Sequence, residues 1–173
     1  MDRLSLSFIA AVTVIVAPVQ AASVDHWQSH INEASKRFEI PASWIRAVIT
    51  AESNGDRHAV SRKGAMGLMQ LMPGTWKELS DEHDLGSDPF DPRANIMAGT
   101  AYLKAMYDRF GHPGLFAAYH AGPTRYDAYL RGKRRLPRET QRYLVNLAKT
   151  APDKPRRAPS GDLFVPLTTP LKQ

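Results

Sequence analysis

Apolar side chains recur along the first two-thirds of the chain at intervals of three and four, the spacing that lines one face of an α-helix. Trp27, Ile31, Ala34 and Phe38 make a first amphipathic stripe, which Pro41 interrupts. Pro41 suits the first turn of a second helix, where a missing N–H costs nothing. Ile45, Val48, Ile49 and Glu52 share one face of that helix, and Asn54-Gly55 supplies an exit tolerant of left-handed backbone. Farther on, Asp91-Pro92 reads as N-cap and first helical residue ahead of a stripe of Ile96, Thr100, Leu103, Tyr107 and Phe110, with Gly111 as the stop. Residues 115–121 form a short apolar helix ended by Gly122-Pro123, and Pro137 opens a last helix bearing Tyr143, Leu144 and Leu147. Strand-like alternation is nearly absent. The fold class is therefore all-α, with one domain over residues 22–149.

The two ends differ from this body. Met1-Asp2-Arg3, an apolar run over residues 4–17 and then Val19-Gln20-Ala21 fit a secretory signal peptide cleaved after Ala21. The apolar run is shorter than the roughly 20 residues of a membrane anchor, so a periplasmic protein without a stable anchor is expected. Residues 150–173 carry Pro152, Pro155, Pro159, Pro166 and Pro170, a density that breaks helices and predicts a disordered tail. Within it, Leu163-Phe164-Val165 is a small apolar island that could dock on the domain or on a partner.

With 173 residues the chain is long enough for one real core. The absence of cysteine excludes a disulfide scaffold, a thiolate metal site, a catalytic thiol and an acylated lipobox cysteine. The net charge of +6 is unevenly placed: residues 131–157 hold ten basic and two acidic side chains, which leaves the rest acidic. Such a flank suits an anionic partner. Leu136 and Pro137 interrupt it, no nucleic-acid motif accompanies it, and a solvated or wall-facing surface is the better expectation. The six histidines show no metal-ligand spacing, so neither metal nor other cofactor is implied.

Glu52 stands out because it occupies the face that a packed helix keeps apolar, at the helix end whose dipole is negative. Both effects raise a carboxyl pKa. The dipole supplies about 0.3–1 kcal/mol, whereas full burial shifts a carboxyl by up to about 3–5 units. Burial must do most of the work if this acid is protonated near neutrality, as a general acid acting on a glycosidic oxygen requires. The alternative is a side chain turned to solvent at a frayed end. Downstream, Gly64-Ala65-Met66-Gly67-Leu68-Met69-Gln70-Leu71-Met72-Pro73-Gly74-Thr75 joins glycines that permit close backbone approach to methionines able to line an apolar groove. Gln70 adds a donor and an acceptor. The plainer interpretation of this segment is a tightly packed helix pair.

Together with Glu52-Ser53, this segment resembles the soluble-type lytic transglycosylases, glycoside hydrolase family 23, with the goose-type lysozyme fold. The match continues in order through Phe90-Asp91-Pro92-Arg93-Ala94-Asn95-Ile96, Ala98-Gly99, Tyr102-Leu103 and Ala118-Tyr119-His120-Ala121-Gly122-Pro123. It ends on Leu136-Pro137-Arg138-Glu139-Thr140 with Tyr143. The resemblance implies a compact lysozyme-like helical domain acting on peptidoglycan. Glu52 would protonate the leaving sugar, then take the proton of the N-acetylmuramic acid C6 hydroxyl, giving a 1,6-anhydro product. It further implies Ser53, Ser61, Gln70, Met72, Tyr119, His120, Glu139 and Tyr143 as substrate-binding residues. His120 departs from the family's asparagine and introduces a group that titrates near pH 5–8. Glu139 also has a purely structural explanation, since an acid is favoured in a first helical turn. One domain plus a tail is similar to the specialised enzymes of type IV secretion and conjugation systems, which makes secretion-system components expected partners of the tail. Two readings compete: a hydrolytic muramidase using Asp56, Asp81 or Asp84 as a second carboxylate, and a non-catalytic wall-binding assembly component.

Overall fold

The computed structural model describes residues 24–150, so the proposed leader over 1–21 and all of the tail but Thr150 lie outside the described residues. A 3-10 turn (Val24–Trp27) leads into α1 (Gln28–Phe38) and α2 (Ala42–Ser53). These are followed by α3 (Pro73–His83), α4 (Pro92–Phe110), α5 (Gly114–Ala121), α6 (Pro123–Leu130) and α7 (Arg138–Thr150). The fold is all-α among the described residues. Two isolated β-bridges, Val60 with Met66 and Met66 with Leu71, are the extended pairings there.

The central helix is α4, which packs against α1, α3 and α5, while α7 closes over α2 and α5. Its start is fixed as expected: the Asp91 carboxylate accepts the Ala94 N–H at 2.8 Å and Pro92 is the first helical residue. Ile96 and Leu103 are fully buried in the core, and Thr100 is buried with its hydroxyl donating to the Ile96 carbonyl at 2.7 Å. Ile45, Val48 and Ile49 of α2 are likewise fully buried, and Asn54 takes the left-handed conformation (φ 51°) that ends α2. Gly99 explains how closely α4 approaches its neighbour: a Cβ there would lie 2.4 Å from the Met69 sulfur.

Some expectations shift. Trp27 sits in the 3-10 turn before α1, and Pro41 is the N-cap of α2 with ψ 130°, one residue before its first turn. Pro137 likewise precedes the first residue of α7. Neither α3 nor α6 was expected from the hydrophobic pattern. Both open on a proline, Pro73 and Pro123, and a proline that stops one helix is equally suited to start the next. Segment 64–72 is a chain of turns rather than the first of two packed helices, with Gly64, Gly67 and Gln70 at positive φ. At Gly67 a Cβ would come within 2.8 Å of the Pro89 carbonyl oxygen, which only glycine avoids.

Candidate active site

The turns of residues 59–72 and the ends of α2, α5 and α7 surround a cleft of about 490 Å³. Of the nine residues singled out above, Glu52, Ser61, Gln70, Met72, Tyr119, His120 and Glu139 line it. Ser53 and Tyr143 do not. The Ser53 hydroxyl donates to the Leu68 carbonyl at 2.8 Å and accepts from the Gly55 N–H at 3.2 Å, so it ties the end of α2 to the Met-rich turns. Tyr143 is buried behind the cleft, with its ring 4.4 Å from that of His120.

Glu52 leaves the last turn of α2 into the cleft. Burial among the surrounding side chains pushes its carboxyl up from 4.5 to about 7, the direction and cause expected from its place on the helix. The Tyr143 hydroxyl, which faces the carboxylate without completing a hydrogen bond to it, is the polar group that opposes this shift. Burial, and after it the nearby Glu52 charge, pushes the Tyr119 pKa well up, and its hydroxyl donates to the Met69 carbonyl at 2.8 Å. It therefore fixes the cleft floor beside Glu52.

The other lining groups are held by backbone. Ser61 accepts the Ala65 N–H at 2.9 Å and the Lys63 N–H at 3.3 Å, making a tight turn at the rim. Gln70 spends its amide nitrogen on the carbonyls of Ala59 (3.0 Å) and Gly67 (2.9 Å), which leaves its side-chain oxygen as an acceptor. Met72 is 46% exposed, an apolar surface on the cleft wall. The His120 Nδ1 pairs with the Thr140 hydroxyl at 3.1 Å. Burial, the larger influence, holds the His120 pKa below its ordinary 6.5, with Glu139 opposing and Lys63 reinforcing it. Its titration thus moves toward the acid side of neutrality. Glu139 reaches Lys63 at 3.6 Å.

Arg62 and Lys63 were not singled out, and Tyr102 was quoted in the family match without a role at the site; all three line the cleft. Asn95, quoted in the matched segment but given no role, is a fully buried amide beneath the Met-rich turns. A polar residue beside Ile96 in the α4 stripe was the available signal for it. Asp56, Asp81 and Asp84 are outside the cleft: Asp56 accepts the His58 N–H at 2.9 Å, Asp81 pairs with Lys77 at 2.7 Å, and Asp84 ends α3. Among the described residues the cleft lining holds two carboxylates, Glu52 and Glu139.

These positions predict the pH dependence of any general-acid step by Glu52. The protonated carboxyl is the active form, so kcat/KM falls as pH rises through about 7. Tyr143→Phe removes the group that opposes burial, and the alkaline limb moves to higher pH. A pH–rate profile of both proteins checks this; an unmoved limb shows that Tyr143 does not set the Glu52 pKa.

The Transglycosylase SLT domain model matches residues 29–141. The soluble lytic murein transglycosylase of Escherichia coli K12 is 39% identical over 110 residues, covering 57% of this chain and 17% of that protein. A transglycosylase of Enterobacteria phage PRD1 is 37% identical over 97 residues, covering 56% of this chain and 35% of its own. The chain thus spans 35% or less of the length of these relatives. Among solved structures, an inactive glutamate-to-glutamine mutant of the lytic transglycosylase Slt from Pseudomonas aeruginosa superposes with a TM-score of 0.64 at 33% identity, covering 71% of this chain and 23% of that one. The 70 kDa soluble lytic transglycosylase in complex with bulgecin A gives a TM-score of 0.63 at 30% identity, over 70% of this chain and 22% of the other. With the family model covering most of the chain and the helical fold agreeing, the protein belongs to the transglycosylase SLT-domain family.

Proposed function

We propose that the protein is a peptidoglycan lytic transglycosylase, cleaving the β-1,4 bond between N-acetylmuramic acid and N-acetylglucosamine without consuming water. The observation that carries this reading is the single carboxyl of Glu52, raised to about 7 at the cleft floor within the segment matched by the family. Near neutrality both of its forms are populated, which suits an acid in one step and a base in the next. Glu52 donates its proton to the glycosidic oxygen as the bond to C1 breaks. The C6 hydroxyl oxygen of the muramic residue then bonds to C1 while Glu52 takes the hydroxyl proton, closing the 1,6-anhydro ring and restoring the acid. The substrate's acetamido group stabilises the positive centre between the two steps.

A hydrolase with two carboxylates would need a second one free to activate water or form a covalent intermediate. Glu139 is paired with Lys63, and the three aspartates considered above point elsewhere, which supports the one-glutamate route. Among the described residues no helix is long and apolar enough to cross a membrane. A murein substrate and the leader-like residues 1–21 support action in the periplasm. Local wall opening for a secretion or conjugation apparatus is the biological setting we propose, with the tail as its contact.

Mass spectrometry of muropeptides released from purified peptidoglycan tests the reaction. Products with 1,6-anhydro ends are expected. Reducing ends would transfer the assignment to a hydrolytic muramidase, and retained wall binding without release would favour the assembly role.

A further inference from the structure

The cleft carries a pair of cations that the proposed chemistry leaves unused. Ser61 and Gly64 (φ +83°) close a tight turn whose tip is Arg62 and Lys63, and both side chains line the cleft opposite the first turn of α7. The turn is internally bonded, with the Gly64 N–H donating to the Ser61 carbonyl at 2.9 Å and the Ser61 N–H to the Ala65 carbonyl at 2.9 Å. The cations are therefore presented from a fixed support. Lys63 meets Glu139 at 3.6 Å, and Arg62 has no ion-pair partner among the described residues. Both cations are exposed, so an anionic ligand reaches them without displacing packed protein.

Neutral amino sugars have no use for two cations at a cleft rim. Peptidoglycan does carry anions beside its sugars: the carboxylates of the stem peptide that hangs from each lactyl group. We infer that Arg62 and Lys63 form a subsite for stem-peptide carboxylates, and that Glu139 is the resident counter-ion that such a carboxylate displaces from Lys63. This inference rests on the transglycosylase reading and adds substrate selection to it. Glu139 then acts against peptide binding and the two cations act for it, an opposition of signs that a merely structural ion pair would not produce.

The test measures binding to the full chain carrying Glu52→Gln, so that turnover does not enter. Three muramyl tetrasaccharides are compared at low salt: one with tetrapeptide stems, the same compound with its stem carboxylates amidated, and one without peptides, whose lactyl carboxylates are free. The carboxylate-bearing form is expected to bind roughly fivefold tighter than the amidated form, as two exposed ion pairs of about 0.5 kcal/mol each would give. Salt should narrow the gap. Adding Arg62→Gln and Lys63→Gln collapses the ratio toward one, whereas adding Glu139→Gln widens it. An equal affinity for the first two ligands, or a ratio that the double substitution leaves unchanged, overturns the inference. Tightest binding of the peptide-free glycan would also overturn it, assigning the cations to the lactyl carboxylate. If the tetrapeptide and amidated forms bind equally while the chain with Glu52 intact still forms anhydro products from peptidoglycan, the subsite falls and the activity stands. If none of the three binds, both fall.

Discussion

Glu52→Gln is expected to reduce release of anhydro-muropeptides by roughly a thousandfold or more, because one positioned proton-transfer group contributes about 10²–10⁴ and this one serves two steps. Glutamine retains the shape and can still donate a hydrogen bond, but it cannot give up a proton. The same substitution should stabilise the fold in a pH-dependent way. The folded protein holds the Glu52 proton up to about 7, whereas the unfolded chain releases it near the ordinary 4.5. Between those values the folded state binds more protons, so the wild type loses stability as pH rises. The loss is absent below 4.5 and complete above 7, with an upper bound of about 3 kcal/mol from a shift of this size. Melting curves should show the variant and the wild type together at pH 4 and separated at pH 8, with the variant higher. A variant that keeps wild-type turnover would remove Glu52 from the reaction, and equal melting temperatures at pH 8 would show that its carboxyl is solvated in the folded state.

Glu52 was legible in the sequence because α2 is regular. Ile45, Val48 and Ile49 declare a buried face, and a carboxylate in register with them must be either buried or at a frayed end. The boundaries of α4 were legible for a similar reason, since Asp91-Pro92 and Gly111 act locally at its two ends. Where one proline had two possible roles, local reading failed: Pro123 stops α5 and starts α6, and Pro73 closes the Met-rich turns and starts α3. The cleft wall was harder still. Arg62 and Lys63 belong to a turn with no period, and nothing in their local sequence says that α7 will lie across from them. Tyr119 lines the cleft, and its hydrogen bond goes to Met69, a residue 50 positions earlier that only the folded chain brings alongside.

The second large effect is expected at Asn95, which holds that Met-rich segment in place. Its side-chain oxygen accepts the Met69 N–H at 2.8 Å, and its nitrogen donates to the carbonyls of Pro89 (2.9 Å) and Met66 (3.1 Å). One amide thus satisfies three backbone groups in a segment where turns replace helix bonds, and it is fully buried. Leaving a buried backbone group unpaired costs about 1–3 kcal/mol. Asn95→Ala strands the Met69 N–H and the Pro89 carbonyl, while the Met66 carbonyl keeps the Leu71 N–H at 3.0 Å; it should therefore cost about 2–4 kcal/mol and lower the melting temperature by about 8–16 °C for a domain of this size. Asn95→Asp should not rescue it: the second carboxylate oxygen would replace a donor and face two carbonyl oxygens. The loss should also reach the cleft, because Gln70 and Met72 follow directly on the tethered residues and the Met69 carbonyl receives Tyr119. At a temperature where the variant remains folded, KM for peptidoglycan should rise more than kcat falls, since Glu52 is carried by α2 and anchored separately. A melting temperature within a few degrees of wild type would mean that water replaces the amide, and that the turns are held by the ladder from Val60 through Met66 to Leu71 instead.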